Sequence, residues 1–154
     1  RDRSPSRGLG DVYKRQYWNS EAKGALTGIT RTTRKAEMVR AGVECIAYQI
    51  ADVVNAMSQD ANTEIQELRV DGGPTRNQYL MQFQSDILNR KVLVPDAEEL
   101  SGIGAAYAAG RGLGLYGDEV FTRLKRREYA PKMCEDTRVR KYNGWKDAVG
   151  HVLK

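Results

Sequence analysis

Between residues 34 and 58 the aliphatic side chains Val39, Val43, Ile46, Ile50, Val53 and Met57 recur at steps of three and four. That period sets them along one face of a single long helix, and the face must be covered by something. Ala36, Ala47, Ala51 and Ala56 favour the same conformation and let a neighbour come close. Shorter elements follow. IQELRV (residues 65–70) reads as a strand and runs into DGGPTRN (71–77). Tyr79, Leu80, Phe83, Ile87 and Leu88 give a second helical period up to about residue 89. KVLVP (91–95) is a second strand, closed by proline. A helix is predicted from about residue 97, a short one over 118–125, an extended piece at REYAP and a terminal amphipathic helix over 136–153. In that last helix Tyr142, Trp145, Val149 and Val152 are expected to face inward. GALTGIT (24–30) places β-branched residues between glycines and reads as a strand or hairpin arm. Strands alternating with helices argue an α/β layer structure, with too few strands for a full sheet. Gly102, Gly104, Gly110, Gly112 and Gly114 each cost a helix about 1 kcal/mol against alanine, which close contact with a neighbouring element is expected to offset.

Composition narrows the function classes. No run of about 18 apolar residues exists, so no membrane-spanning helix is expected. Cys45 and Cys134 lie far apart and match no metal spacing, which points to reduced thiols in a cytoplasmic setting. Cys45 sits beside the helical face with no basic partner in view, a small core residue rather than a nucleophile. The single histidine, His151, gives little support to a histidine base or a histidine-bound metal. The net charge of +5 is uneven: residues 1–16 carry +3, 17–120 carry −4 and 121–154 carry +6. Arg123, Lys125, Arg126 and Arg127 form the densest basic run, which reads as a solvated helix end. Aromatic interleaving of the kind that stacks bases is thin there, so no nucleic-acid partner is expected.

Residues 1–16, RDRSPSRGLGDVYKRQ, lack periodicity, hold three arginines among the first seven residues and have a Ser/Pro/Gly-rich middle. They are expected to be a disordered, non-native leader, leaving 17–154 as the folded domain. A natural flexible arm is the alternative.

DGGPTRN follows a strand and opens a helix. Strand ends reach the rim of a sheet, where α/β proteins bind ligands. Gly72 and Gly73 have no Cβ, so a bulky ligand can lie on their backbone. Pro74 fixes the turn, and Asn77 stands where its amide can cap the helix or reach outward. The N–H groups of a helix start favour phosphate. Two glycines between a strand and a helix also make a plain tight turn, and both readings stay open at this point. The motif is neither a Walker A loop nor GxGxxG. The GIGAAYAAG run (102–110) evokes a dinucleotide motif but reads better as packing. Glu98 and Glu99 are adjacent carboxylates at a helix start, where they complement the macrodipole rather than pair for chemistry. Trp18 and Trp145 read as core or interface anchors.

ELRVDGGPTRNQYLMQFQSDIL, together with ELSGIGAAYAAGRGLGLY, resembles the C-terminal domain of the FGGY carbohydrate kinases. The resemblance begins at YWNSEAKGALTGITR (17–31) and runs through RAGVECIAYQIADVV to NGWKDAV, so it covers nearly everything except residues 1–16. LMQFQSDIL and EYAPKMCEDTRVRKYNGWKDAV favour the glycerol-phosphorylating members over xylulose or gluconate kinases. The resemblance implies part of an actin-like, ribonuclease-H-like α/β ATPase whose two domains close on their substrates. It implies transfer of the ATP γ-phosphoryl group, with Mg²⁺, to a terminal hydroxyl of glycerol, in a cytoplasmic homo-oligomer with no membrane partner. The family motif's second glycine and its asparagine, which contact the adenine nucleotide, fall on Gly73 and Asn77, with Gly72 an adjacent candidate. By the same resemblance the aspartate base, the glycerol-binding residues and the phosphate loops lie upstream of Tyr17. Trp18 is not the family's glycerol-contacting tryptophan. No catalytic residue is therefore assigned in this chain, and no phosphotransferase activity is expected of these residues alone. The alternatives are another FGGY kinase such as xylulokinase, and a non-catalytic interaction module using the acidic body or the basic tail.

Overall fold

The computed structural model describes residues 24–96, 100–117, 119 and 125–153. The expected leader (1–16), Trp18, Glu98 and Glu99 lie outside the described residues, as does most of the helix expected over 118–125. The elements are helix α1 (Lys35–Asp60), strand β1 (Glu67–Arg69), a 3₁₀ turn (Gly73–Arg76), helix α2 (Gln78–Leu88), strand β2 (Lys91–Pro95), helix α3 (Leu100–Gly112), strand β3 (Arg126–Tyr129) and helix α4 (Glu135–Val152). The three strands form one sheet in the order β1-β2-β3. β1 and β2 run parallel, with Leu68 opposite Val92, because α2 crosses between them. β3 returns antiparallel, with Leu93 opposite Glu128. The first three residues of REYAP (127–129) are thus extended as expected, and β3 carries Arg126 and Arg127 on a strand rather than at a helix end.

α2 packs on the sheet and α1 packs on α2. The core between them holds Ala47, Tyr48, Ala51, Val54, Leu80, Phe83, Ile87, Leu88, Val92 and Val94. α4 adds Trp145, stacked on Tyr48 with ring centroids 5.3 Å apart. Asp52 accepts from the Trp145 indole N–H at 2.7 Å and from the Tyr142 hydroxyl at 2.5 Å. Tyr142, Trp145, Val149 and Val152 do face inward on α4, and Val149 is the most deeply buried of them. Asp86, in α2, accepts from the backbone N–H groups of Lys132 and Met133 at 2.7 and 3.3 Å, tying the segment before α4 to the core.

Three further expectations fail, each for a local reason. The aliphatic stripe of α1 is not its most buried face: Val39 and Met57 are 58% and 56% exposed. The helix is rolled so that Ala47 and Ala51, fully buried, meet α2 at close range, with Tyr48 wedged between Phe83 and Trp145. Small residues, not the aliphatic ones, set the contact. Residues 24–30 form no strand; Gly28 at φ 75° breaks the extended backbone and the Thr30–Thr33 turn follows it. The glycines of α3 are not explained by tight packing among the described residues: space around Gly102, Gly104 and Gly112 is open, and α3 touches its neighbours only slightly. Gly110 is crowded, since a Cβ there would run into the Tyr116 ring, but Tyr116 lies in the segment that follows the same helix and not on a neighbouring helix or strand.

Candidate functional site: the strand-to-helix corner

The corner begins where β1 ends. The Val70 N–H still donates to Leu93 O at 3.1 Å, the last tie to the sheet. Gly72 then takes φ 91° and ψ 175°, a conformation open essentially to glycine alone. The Gly72 carbonyl accepts from both the N–H and the hydroxyl of Thr75, at 3.1 and 2.7 Å. Pro74 stands at the start of the 3₁₀ turn, and the Asn77 N–H closes it on Pro74 O at 3.1 Å. Asn77 caps α2: its Oδ1 accepts from the Leu80 N–H at 3.1 Å. With Oδ1 so engaged, the group Asn77 can offer a ligand is its Nδ2 amide, a donor.

The two glycines differ. Gly72 is needed by its own backbone angle. Gly73 has no such angle, and a Cβ built on it would meet nothing within 4 Å. Neither conformation nor internal crowding calls for glycine at 73. What its missing side chain does is leave an exposed backbone shelf beside the helix start. Gly72, Gly73 and Asn77 are all exposed and all in one turn, so the structure brings the three candidates together. A concavity of about 670 Å³ is walled by Lys35, Ala36, Val39, Arg40, Val43 and by Tyr79 of α2.

Beneath the first turn of α2 lies a cluster that the sequence reading missed. Glu44 of α1 is buried, and its Oε1 accepts from the Tyr79 hydroxyl at 2.5 Å and from the Arg40 Nε–H at 2.6 Å. Arg40 also donates to the Tyr79 oxygen at 2.9 Å, and Lys141 of α4 stands 3.3 Å from Glu44 Oε2. Burial acts to raise the Glu44 carboxyl, but the Tyr79 and Arg40 hydrogen bonds and the Lys141 charge outweigh it and hold the group below its usual value. Burial, then the hydrogen bond to Glu44, raises the Tyr79 phenol. The one visible hint was the Arg40/Glu44 spacing of four on a helix.

The remaining candidates take structural places. Burial raises the Cys45 thiol, only partly countered by the Gln49 amide at 3.0 Å, so it is a poor nucleophile. His151 contacts only the Asp147 carbonyl within its own helix among the hydrogen bonds described, at 2.6 Å. Trp145 is a core anchor, as expected. Among the described residues no three His, Cys, Asp or Glu side chains converge as a metal site. Nor is any described helix long and apolar enough to cross a membrane.

A parallel β-helix-β corner with helices stacked on its sheet, and a bare glycine shelf at the strand's carboxyl end, defines an α/β domain of the ligand-rim type. Residues 14–113 match the model of the FGGY family of carbohydrate kinases, C-terminal domain. The chain belongs to that family, and its fold is accordingly the C-terminal part of an actin-like α/β ATPase. It is 46% identical over 136 residues to a glycerol kinase of Staphylococcus epidermidis, covering 86% of this chain and 27% of the relative. A glycerol kinase of Brachyspira hyodysenteriae is 47% identical over 136 residues, with 86% and 28% covered. The chain thus spans little more than a quarter of the length of these curated relatives. The crystal structure of Plasmodium falciparum glycerol kinase with ADP superposes with a TM-score of 0.81 at 29% identity, over 98% of this chain and 34% of that one. Xylulose kinase from Rhodospirillum rubrum gives a TM-score of 0.71 at 25% identity, over 86% and 28%.

Proposed function

We propose that this chain carries the adenine-nucleotide side of an ATP-dependent kinase that phosphorylates glycerol to glycerol 3-phosphate. One observation carries the reading: Gly73 is bare for no internal reason, directly beside the outward-facing end of a helix whose cap residue has an amide donor to spare. Its relatives' names support the acceptor, and the fold it shares with an ADP-bound glycerol kinase supports the nucleotide.

The roles divide as follows. Gly72 turns the chain off the sheet, Gly73 supplies the shelf against which the nucleoside lies, and Asn77 donates from Nδ2 to it. Mg²⁺ would arrive on the nucleotide phosphates, which it binds with few protein ligands. No general base is assigned to a described residue, and the transfer step belongs to the whole protein. Glycerol, the cytoplasmic setting and homo-oligomeric assembly are likewise proposals for that protein.

The experiment is an ADP titration of the chain and of Asn77→Ser. Serine keeps a capping oxygen but has no amide donor. Affinity falls about tenfold, the worth of one well-placed hydrogen bond, while the unfolding midpoint holds. Unchanged affinity, or no ADP binding by the unaltered chain, removes the reading. The acceptor is tested on the whole gene product, by ADP release from MgATP with glycerol, D-xylulose and gluconate in turn. Release with glycerol alone is expected.

A further inference from the structure

We propose that Tyr79 and Glu44 are positioning residues for the nucleotide corner: their hydrogen bond sets the first turn of α2 on α1, and so aims the Asn77 amide. The inference rests on the proposed nucleotide role of that corner and goes one layer beneath it.

Tyr79 is two residues beyond the cap, in the turn whose Leu80 N–H is held by Asn77 Oδ1 and whose Met81 N–H is held by Asn77 O at 3.1 Å. Moving that turn moves Asn77 with it. Leu80, Met81 and Phe83 bury apolar surface, which holds α2 against its neighbours without fixing its exact rotation. The polar cluster adds direction. The Tyr79 hydroxyl donates to Glu44 at 2.5 Å across the α1–α2 seam, and Arg40 donates to both members, at 2.6 and 2.9 Å. The Arg40 guanidinium also lies over the Tyr79 ring at 5.7 Å. Glu44 is in turn fixed from a third helix by Lys141, at 3.3 Å. A carboxylate that is 8% exposed and held by three partners is a firm anchor. Tyr79 is 43% exposed as a residue, but its ring stacks on Phe83 at 6.0 Å, and its hydroxyl alone reaches Glu44. Removing that hydroxyl is therefore a small cut, and its effect on binding reports aim rather than collapse.

The test is a double-mutant cycle on ADP affinity, with Tyr79→Phe and Asn77→Ser, and with Glu44→Gln as the independent second variant. Tyr79→Phe weakens ADP binding about three- to tenfold, with the unfolding cooperativity unchanged. Glu44→Gln has an effect of similar size. In the Asn77→Ser background the Tyr79→Phe effect vanishes, because there is no longer an amide to aim. Three outcomes overturn the proposal. If Asn77→Ser weakens ADP but Tyr79→Phe and Glu44→Gln do not, the positioning role fails while the nucleotide reading stands. If the Tyr79→Phe effect is the same in both backgrounds, the hydroxyl acts on general structure and not through Asn77. If Asn77→Ser binds ADP as the unaltered chain does, the corner reading itself fails and the proposal with it.

Discussion

At the scale of single residues, the two adjacent glycines make opposite predictions. Gly72 sits at φ 91°, so Gly72→Ala is expected to lower stability by about 1–3 kcal/mol in urea unfolding. Gly73 has open space and an ordinary backbone, so Gly73→Val should leave stability within about 0.5 kcal/mol while blocking the shelf. A loss of stability at 73 as large as at 72 would contradict this division. The two thiols also separate. Burial raises Cys45, whereas the hydrogen bond with Thr137 lowers the exposed Cys134. Alkylation followed by peptide mass mapping at neutral pH should find Cys134 modified first and Cys45 only slowly; the reverse order would place Cys45 in a different setting. That both glycines and Asn77 belong to one turn was legible from DGGPTRN. That only Gly72 is conformationally required was not, because the spacing of letters carries no backbone angle.

Among the elements, the seam between α1 and α2 holds the main lesson. Periodicity found both helices and both parallel strands, because apolar spacing and the closing Pro95 are local signals. It misjudged which face of α1 is buried. The aliphatic residues promised the core, yet Ala47 and Ala51 allow the close approach and carry Glu44 and Asp52 inward with them. Those carboxylates are tolerated because partners from α2 and α4 reach them, and such long-range pairing is invisible in a one-dimensional pattern. The seam has a pH signature. The folded Glu44 carboxyl titrates below its unfolded value, so its stabilisation is complete above the ordinary carboxylate range and fades as pH falls through the folded value. Urea midpoints should therefore drop more for the unaltered chain than for Glu44→Gln as pH is lowered from about 5. Parallel curves would show that folding does not shift the Glu44 carboxyl, and would contradict the anchored carboxylate.

For the molecule as a whole, the described residues leave much apolar surface uncovered. Val39, Met57, Leu113 and Leu115 are 58%, 56%, 75% and 69% exposed. Such surface drives association. Sedimentation at rising concentration should show the chain self-associating, and Val39→Glu with Met57→Glu should reduce it; a strictly monomeric chain would contradict the exposure. The α/β class was legible in the order of elements, and the family in motifs spread over most of the chain. The open faces of α1 and α3 were not, since composition says that a face is apolar but not that a neighbour covers it.

The central claim is that adenine nucleotide rests on the Gly73 backbone under the Asn77 amide. Amide and side-chain NMR resonances of the ¹⁵N-labelled chain, followed through an ADP titration, locate the contact directly. The account predicts that the largest shifts fall on the Gly72, Gly73 and Asn77 amides and on the Asn77 side-chain NH₂. Saturable shifts confined to another part of the chain, with these resonances still, would contradict it.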